Sequence, residues 1–189
     1  MPKIAIVTES SSCIPGELVK KYDIKVVPHH IHFQDGVYLD DVDLKTVDFY
    51  KMQREAKESG KKIPTTVAAT PADWLKAYQE VRRKADTIIA LTLSRDLSPA
   101  CEWAIQAGQQ IAPFPVEVVD SRTIGGALAF MVLAAARAAQ AGKSPDEVIQ
   151  VIENMKPRAN FIAMVETLYY LAKGDVLVRL RLGLAPCSA

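Results

Sequence analysis

An α/β fold with a mostly parallel sheet flanked by helices is what this sequence predicts, on three grounds. Short apolar runs, Lys3-Ile-Ala-Ile-Val-Thr8, Thr87-Ile-Ile-Ala-Leu-Thr92 and Val116-Glu-Val-Val-Asp120, each end in hydroxyl or carboxyl side chains. Apolar runs without strict alternation suit strands covered on both faces, the habit of a parallel sheet. Three helix entries share one device: Thr70-Pro71, Ser98-Pro99 and Ser144-Pro145 place a hydroxyl cap before a proline suited to the first helical position. Between Ala85 and Ala141 strand and helix patterns alternate, as in βαβ units.

Taken in order, the first run predicts a strand from Lys3 to Thr8, and Pro15 to Tyr22 carries apolar residues at helical spacing. Lys25 to Pro28 opens a second extended stretch that continues through Ile31 to Phe33. Asp35-Gly36 is a hairpin signal, with Val37 to Leu39 as the return. Val47 to Ala56 reads as a helix with Phe49, Tyr50 and Met52 as its apolar contribution. Pro64-Thr65-Thr66 reads as a loop before the Thr70-capped helix. The later helices run from about Ala72 to Lys84, Ala100 to Ala112 and Pro145 to Met155. Asp73 and Glu147, at the third helical position, complete capping boxes for two of them. Ile124 to Ala136, the longest apolar stretch, is too short to cross a bilayer and reads as a core helix.

Near Lys156-Pro157 the pattern changes. A strand is expected over Asn160 to Val165 and a helix over Glu166 to Lys173, ended by Gly174. Residues 1–156 are thus expected to form a first domain. Residues 157–189 would be the incomplete start of a second, with a divergent tail from about residue 175.

Composition narrows the function classes. With 189 residues and 49% hydrophobic content, the chain can build one substantial core. Lys and Arg total 23 against 22 acidic residues, and no polybasic cluster provides a footprint for nucleic acid or an acidic membrane surface. Cys13, Cys101 and Cys187 are far apart and suit reduced thiols, and the start lacks a signal-peptide pattern, so a cytoplasmic location is expected. There is no G-x-x-x-x-G-K-[ST] loop, no G-x-G-x-x-G after the first strand and no G-x-S-x-G elbow.

In a parallel sheet, ligands bind outside the carboxyl ends of the strands. The hydroxyls that converge there outline an anion site. Thr65 and Thr66 can offer hydroxyls and N–H groups to one anion, although such residues often only satisfy loop backbone. Ser94, just past a buried strand, is the better ligand candidate of the next pair, because capping nearly accounts for Ser98. Glu9 reads as a carboxylate organising its loop rather than a general base, and Asp120 as a partner for neighbouring loops. His29, His30 and His32 fall together; His30 and His32 would share a strand face, but no ligand set completes a metal site. Trp74 and Trp103 read as packing anchors.

An ordered set of these segments resembles the DegV family of bacterial fatty-acid-binding proteins. It comprises Ile4-Ala-Ile-Val-Thr-Glu-Ser10, Tyr22-Asp-Ile-Lys-Val-Val-Pro28, Pro64-Thr65-Thr66 with Thr70-Pro71-Ala-Asp73-Trp74, Leu93-Ser94 with Leu97-Ser98, Val116-Glu-Val-Val-Asp-Ser121 and Glu166-Thr-Leu-Tyr-Tyr-Leu-Ala-Lys-Gly174. The resemblance implies a two-domain α/β protein that holds a long-chain fatty acid in an apolar tunnel and requires no other cofactor. It implies Thr65, Thr66 and Ser94 as carboxylate ligands, with Ser98 shaping the loop. It also implies a fatty acid kinase as partner, so the protein would be a substrate presenter and not itself an enzyme.

The chain departs from the family pattern in places. Val67-Ala68-Ala69 follows the threonines where the family has Ser-Gln-Pro, and Arg95 stands where it has a second serine. After Gly174 comes Asp175-Val176-Leu177 in place of Gly-Arg-Ile, and none of the three histidines matches by position the one that family members carry in their second domain. A frameshift near Gly174 would leave such an ending. Two other readings stand beside the carrier: an enzyme acting on a small carboxylated or phosphorylated substrate, and an inactive truncated family member.

Overall fold

The computed structural model describes residues 2–34 and 36–170. Its strands are β1 (Ile4–Glu9), β2 (Lys25–Val27), β3 (His30–Phe33), β4 (Gly36–Leu39), β5 (Thr65–Val67), β6 (Thr87–Thr92) and β7 (Val116–Asp120). Its helices are α1 (Gly16–Lys21), α2 (Thr46–Glu58), α3 (Pro71–Val81), α4 (Ala100–Gln109), α5 (Gly125–Gln140) and α6 (Pro145–Met155).

The three apolar runs form a parallel sheet with β2, in the order β2-β1-β6-β7. All six residues of β6 are buried, as a strand covered on both faces requires. Alternate residues feed two cores. Ile6, Ile89 and Leu91 pack with Leu128, Met131, Val132, Val148 and Ile152 of α5 and α6. Val7, Ile88 and Ala90 pack on the other face with Trp74, Ala77, Tyr78, Ala104 and Ala107 of α3 and α4. The α/β class expected from the sequence is therefore the observed one.

Both expected capping boxes are present. Thr70 accepts from the Asp73 N–H while Asp73 accepts from the Thr70 N–H, and Ser144 and Glu147 do the same for α6. The third entry differs: α4 is capped at Pro99, and Ser98 Oγ accepts the Ala100 N–H at 3.2 Å from one position further out. That proline sits at the cap itself, so the hydroxyl closes a local turn instead.

A second, antiparallel sheet, ordered β4-β3-β5, follows directly from the carboxyl end of β2. Three expectations are corrected here. Phe33 pairs with Gly36, so Gly36 already belongs to the return strand, and the positive φ of 51° falls on Gln34. The turn lies one residue earlier than the Asp-Gly signal suggests, and Asp35 itself lies outside the described residues. Thr65 and Thr66 are not in a loop; they form β5, paired with His32 and Ile31. Asn160 to Val165 is irregular and mostly exposed rather than a strand, because no sheet edge among the described residues receives it. Of the expected helix over 166–173, Glu166 to Leu168 are exposed and not helical, Tyr169 and Tyr170 are helical, and residues 171–173, like the tail, lie outside the described residues.

Candidate functional site

The sheet order fixes where a crevice can form. From β1 the chain leaves toward β2, whereas from β6 it leaves toward β7 on the opposite side. Loops that depart in opposite directions part at the switch point, and ligands in open parallel sheets bind there. The loop after β1 carries Glu9 to Ser12, and the loop after β6 carries Leu93 to Ser98.

Glu9 ties these loops together. It is fully buried; Oε1 accepts the Leu93 N–H at 2.7 Å, and Oε2 meets His29 Nε2 at 2.5 Å. Ser10 Oγ accepts the His29 N–H at 3.0 Å, and Thr8 Oγ1 donates to the Leu91 carbonyl at 2.9 Å. With each oxygen bonded to a different part of the chain, Glu9 organises the crevice by tying the loop after β6 to the start of the antiparallel sheet. Around it the buried hydroxyls of Ser11, Ser12 and Thr92 have no partner among the described residues. Buried hydroxyls normally find one, so these keep hydrogen bonds to spare at the carboxyl ends of β1 and β6.

Ser94 is buried at the carboxyl end of β6. Its N–H donates to the Thr123 carbonyl at 2.9 Å, and its own carbonyl accepts from Leu97 and Ser98 at 3.0 and 3.2 Å. Its Oγ accepts the Asp96 N–H at 3.3 Å, which leaves the hydroxyl proton free to donate. Ser94 and Ser98 therefore share one turn, while Thr65 (half-buried) and Thr66 (exposed) share one strand. No hydrogen bond joins the two pairs among the described residues.

Arg95 is spent on the protein's own carboxylates, with Nε 3.2 Å from Glu102 and 3.7 Å from Asp120. Asp120 also accepts the Arg122 N–H at 2.9 Å, the loop-bonding role expected of it. Trp74 is buried in the α3 side of the core and Trp103 packs against the same cluster, so both are anchors.

Sequence reasoning missed the partners of two histidines. His29 pairs with Glu9, and His30 Nε2 meets Asp73 Oδ2 at 2.8 Å, which pins β3 to the start of α3. Burial pushes the Asp73 carboxyl up, but bonds from the Thr70 hydroxyl, the Thr70 N–H and His30 outweigh it and hold Asp73 below the usual carboxylate range. The only signal available in the sequence was the run of histidines directly after a strand that ends beside acidic loops. Among the described residues no group of three or more His, Cys, Asp or Glu is placed to hold a metal ion, and no helix is long and apolar enough to cross a membrane.

A cavity of about 250 Å³ opens at the opposite, amino-terminal edge of the sheet, lined by Ile4, Ile6, Tyr22, Ala136 and Ala139 among others. It is remote from every hydroxyl described above and forms no part of this site.

Fold and crevice together define an open parallel α/β protein with hydroxyl-rich loops at its switch point. The family model described as "Uncharacterised protein, DegV family" matches residues 3–184, continuing past Gly174. A DegV domain-containing protein of Caldanaerobacter subterraneus is 37% identical over 181 residues, covering 95% of this chain and 62% of that protein. One from Deinococcus radiodurans is 33% identical over 168 residues, covering 89% and 58%. Among solved structures, a fatty-acid-binding DegV family protein from Thermus thermophilus superposes with TM-score 0.82 at 29% identity, covering 93% of this chain and 60% of its own. DegV of Bacillus subtilis, a fatty acid binding protein, gives TM-score 0.82 at 27% identity, covering 94% and 62%. The chain belongs to the DegV family. It spans about three-fifths of the length of these relatives.

Proposed function

We propose that this chain binds a long-chain fatty acid in an apolar tunnel. Thr65, Thr66 and Ser94 hold its carboxylate, and Ser98 shapes the loop that carries Ser94. The observation that carries this reading is the concentration of available hydroxyls where the loops after β1 and β6 part, Ser94 among them with its proton free. The two solved relatives, both fatty-acid-binding proteins, support the same ligand class. The bound acid is presented to a separate fatty acid kinase that supplies the phosphoryl-transfer chemistry. The engagement of both Glu9 oxygens supports a binding role over a catalytic one.

Physical chemistry divides the labour. Each methylene removed from water contributes roughly 0.8 kcal/mol, so the hydrocarbon dominates affinity. A hydroxyl bond to a charged carboxylate contributes about 1.5–3 kcal/mol and decides which end is presented. Mass spectrometry of lipid extracted from the purified protein should find a long-chain acid. After delipidation, Thr65→Ala and Ser94→Ala should each weaken oleate binding about tenfold, and phosphorylation of bound oleate by the kinase should fall further than affinity does. Wild-type protein that carries no acid and takes up no oleate refutes the assignment.

A further inference from the structure

The antiparallel sheet brings a residue to Thr65 that the fatty-acid reading does not use. Thr65 lies directly opposite His32 in the β3–β5 pair, and His30 lies opposite Val67. On the other side of β3, His32 is opposite Val37 and His30 opposite Leu39. Directly opposed residues of antiparallel strands project from the same face, with Cβ atoms about 4.5–5.5 Å apart. One face of this sheet therefore carries His30, His32, Thr65, Val67, Val37 and Leu39.

The three histidines differ in what they are committed to. His29 is bonded to Glu9 and His30 to Asp73. His32 is exposed and has no hydrogen-bond or ionic partner among the described residues. The His30–Asp73 bond ties this face to the capped start of α3, so the orientation of His32 two residues along the strand is fixed by the backbone. Val37 and Val67, its neighbours on the same face, are 56% and 40% exposed. An imidazole and a hydroxyl side by side, set among exposed valines, match a carboxylate head with hydrocarbon behind it.

We propose that His32 is a second donor to the ligand carboxylate beside Thr65 and sets the preference for a free acid over a neutral ester. The proposal rests on the fatty-acid reading above. An imidazole nitrogen donates to one carboxylate oxygen while the Thr65 hydroxyl donates to the other, an arrangement that a methyl ester cannot exploit because it presents a single weaker acceptor.

The test compares oleic acid with methyl oleate on the delipidated 189-residue chain, using wild type, Thr65→Ala, His32→Ala and His32→Gln. His32 is exposed, so its variants should melt with the wild type. His32→Ala should lose about tenfold in oleic acid affinity while its methyl oleate affinity stays within about twofold. His32→Gln, which keeps a donor, should recover most of the loss. If Thr65→Ala weakens acid binding and His32→Ala does not, the role assigned to His32 is overturned while the fatty-acid reading stands. Equal loss of acid and ester in His32→Ala overturns it as well, by showing a structural effect instead of a head-group contact. Wild-type chain that binds neither ligand overturns the parent reading and this proposal with it.

Discussion

Glu9 is a fully buried side chain whose two oxygens answer two separated parts of the chain, the Leu93 N–H on one side and the His29 ring on the other. Replacing it with glutamine keeps the volume but puts a donor where one acceptor was and removes the charge that strengthens both bonds. Leaving a buried partner unsatisfied costs about 1–3 kcal/mol. Glu9→Gln should therefore lower the urea midpoint by a free energy in that range with an unchanged m-value, as read from an equilibrium unfolding curve. A loss below about 0.5 kcal/mol would show that the carboxylate does not hold the crevice together. The organising role of Glu9 was legible in the sequence, because an acidic residue at a strand end among serines has few other uses. Its partners were not legible, since they lie 20 and 84 positions away and are chosen by strand order. The same holds for His30 and Asp73, 43 positions apart.

Helix α3 illustrates what an element can encode locally and what it cannot. Its Thr70-Pro71-Ala-Asp73 entry contains every atom of its own cap, and the cap forms as the spacing predicts. The strand before it, β5, is three residues long behind a proline and shows no period of its own; only pairing with β3 makes it extended. Loop and edge strand are therefore indistinguishable from Thr65-Thr66 alone. The capping carboxylate also gives α3 a pH dependence. Asp73 is held below the usual carboxylate range in the folded protein, so its ionised form stabilises the fold. That contribution is complete above the unfolded-state value near 3.9 and is lost as pH falls through the lower folded value. Asp73→Asn should be less stable than wild type by about 1 kcal/mol near neutral pH. The difference in melting temperature between the two should shrink as the pH is taken down to about 3. A gap that is constant over this range would show that Asp73 acts without its charge.

At the scale of the molecule, the parallel sheet separates two cores, and every member of both among the described residues lies at or before Ala159. The alternation of Ile6, Ile89 and Leu91 with Val7, Ile88 and Ala90 is what makes the two layers one unit, since each strand serves both. The layered class was legible from those uninterrupted apolar runs. The end of the layer was legible only as a change of pattern near Lys156, because Asn160 to Val165 has strand-like composition but no neighbour to pair with among the described residues. Past that point Phe161, Ile162, Met164, Val165 and Leu168 are all exposed, so they add little to the packing that holds the sheet. The Phe161 ring lies over Gly125, where a Cβ would sit 3.0 Å from it, and Lys57 Nζ lies 5.1 and 5.3 Å from the Tyr169 and Tyr170 ring centroids. A chain ending at Ala159 should accordingly fold on its own, with a single cooperative thermal transition within about 4 °C of the 189-residue chain. In a protein of this size that interval corresponds to about 1 kcal/mol. Calorimetry of both chains checks it. A shortened chain that melts broadly, or far lower, would place the residues after Ala159 within the first folding unit and move the domain boundary beyond them.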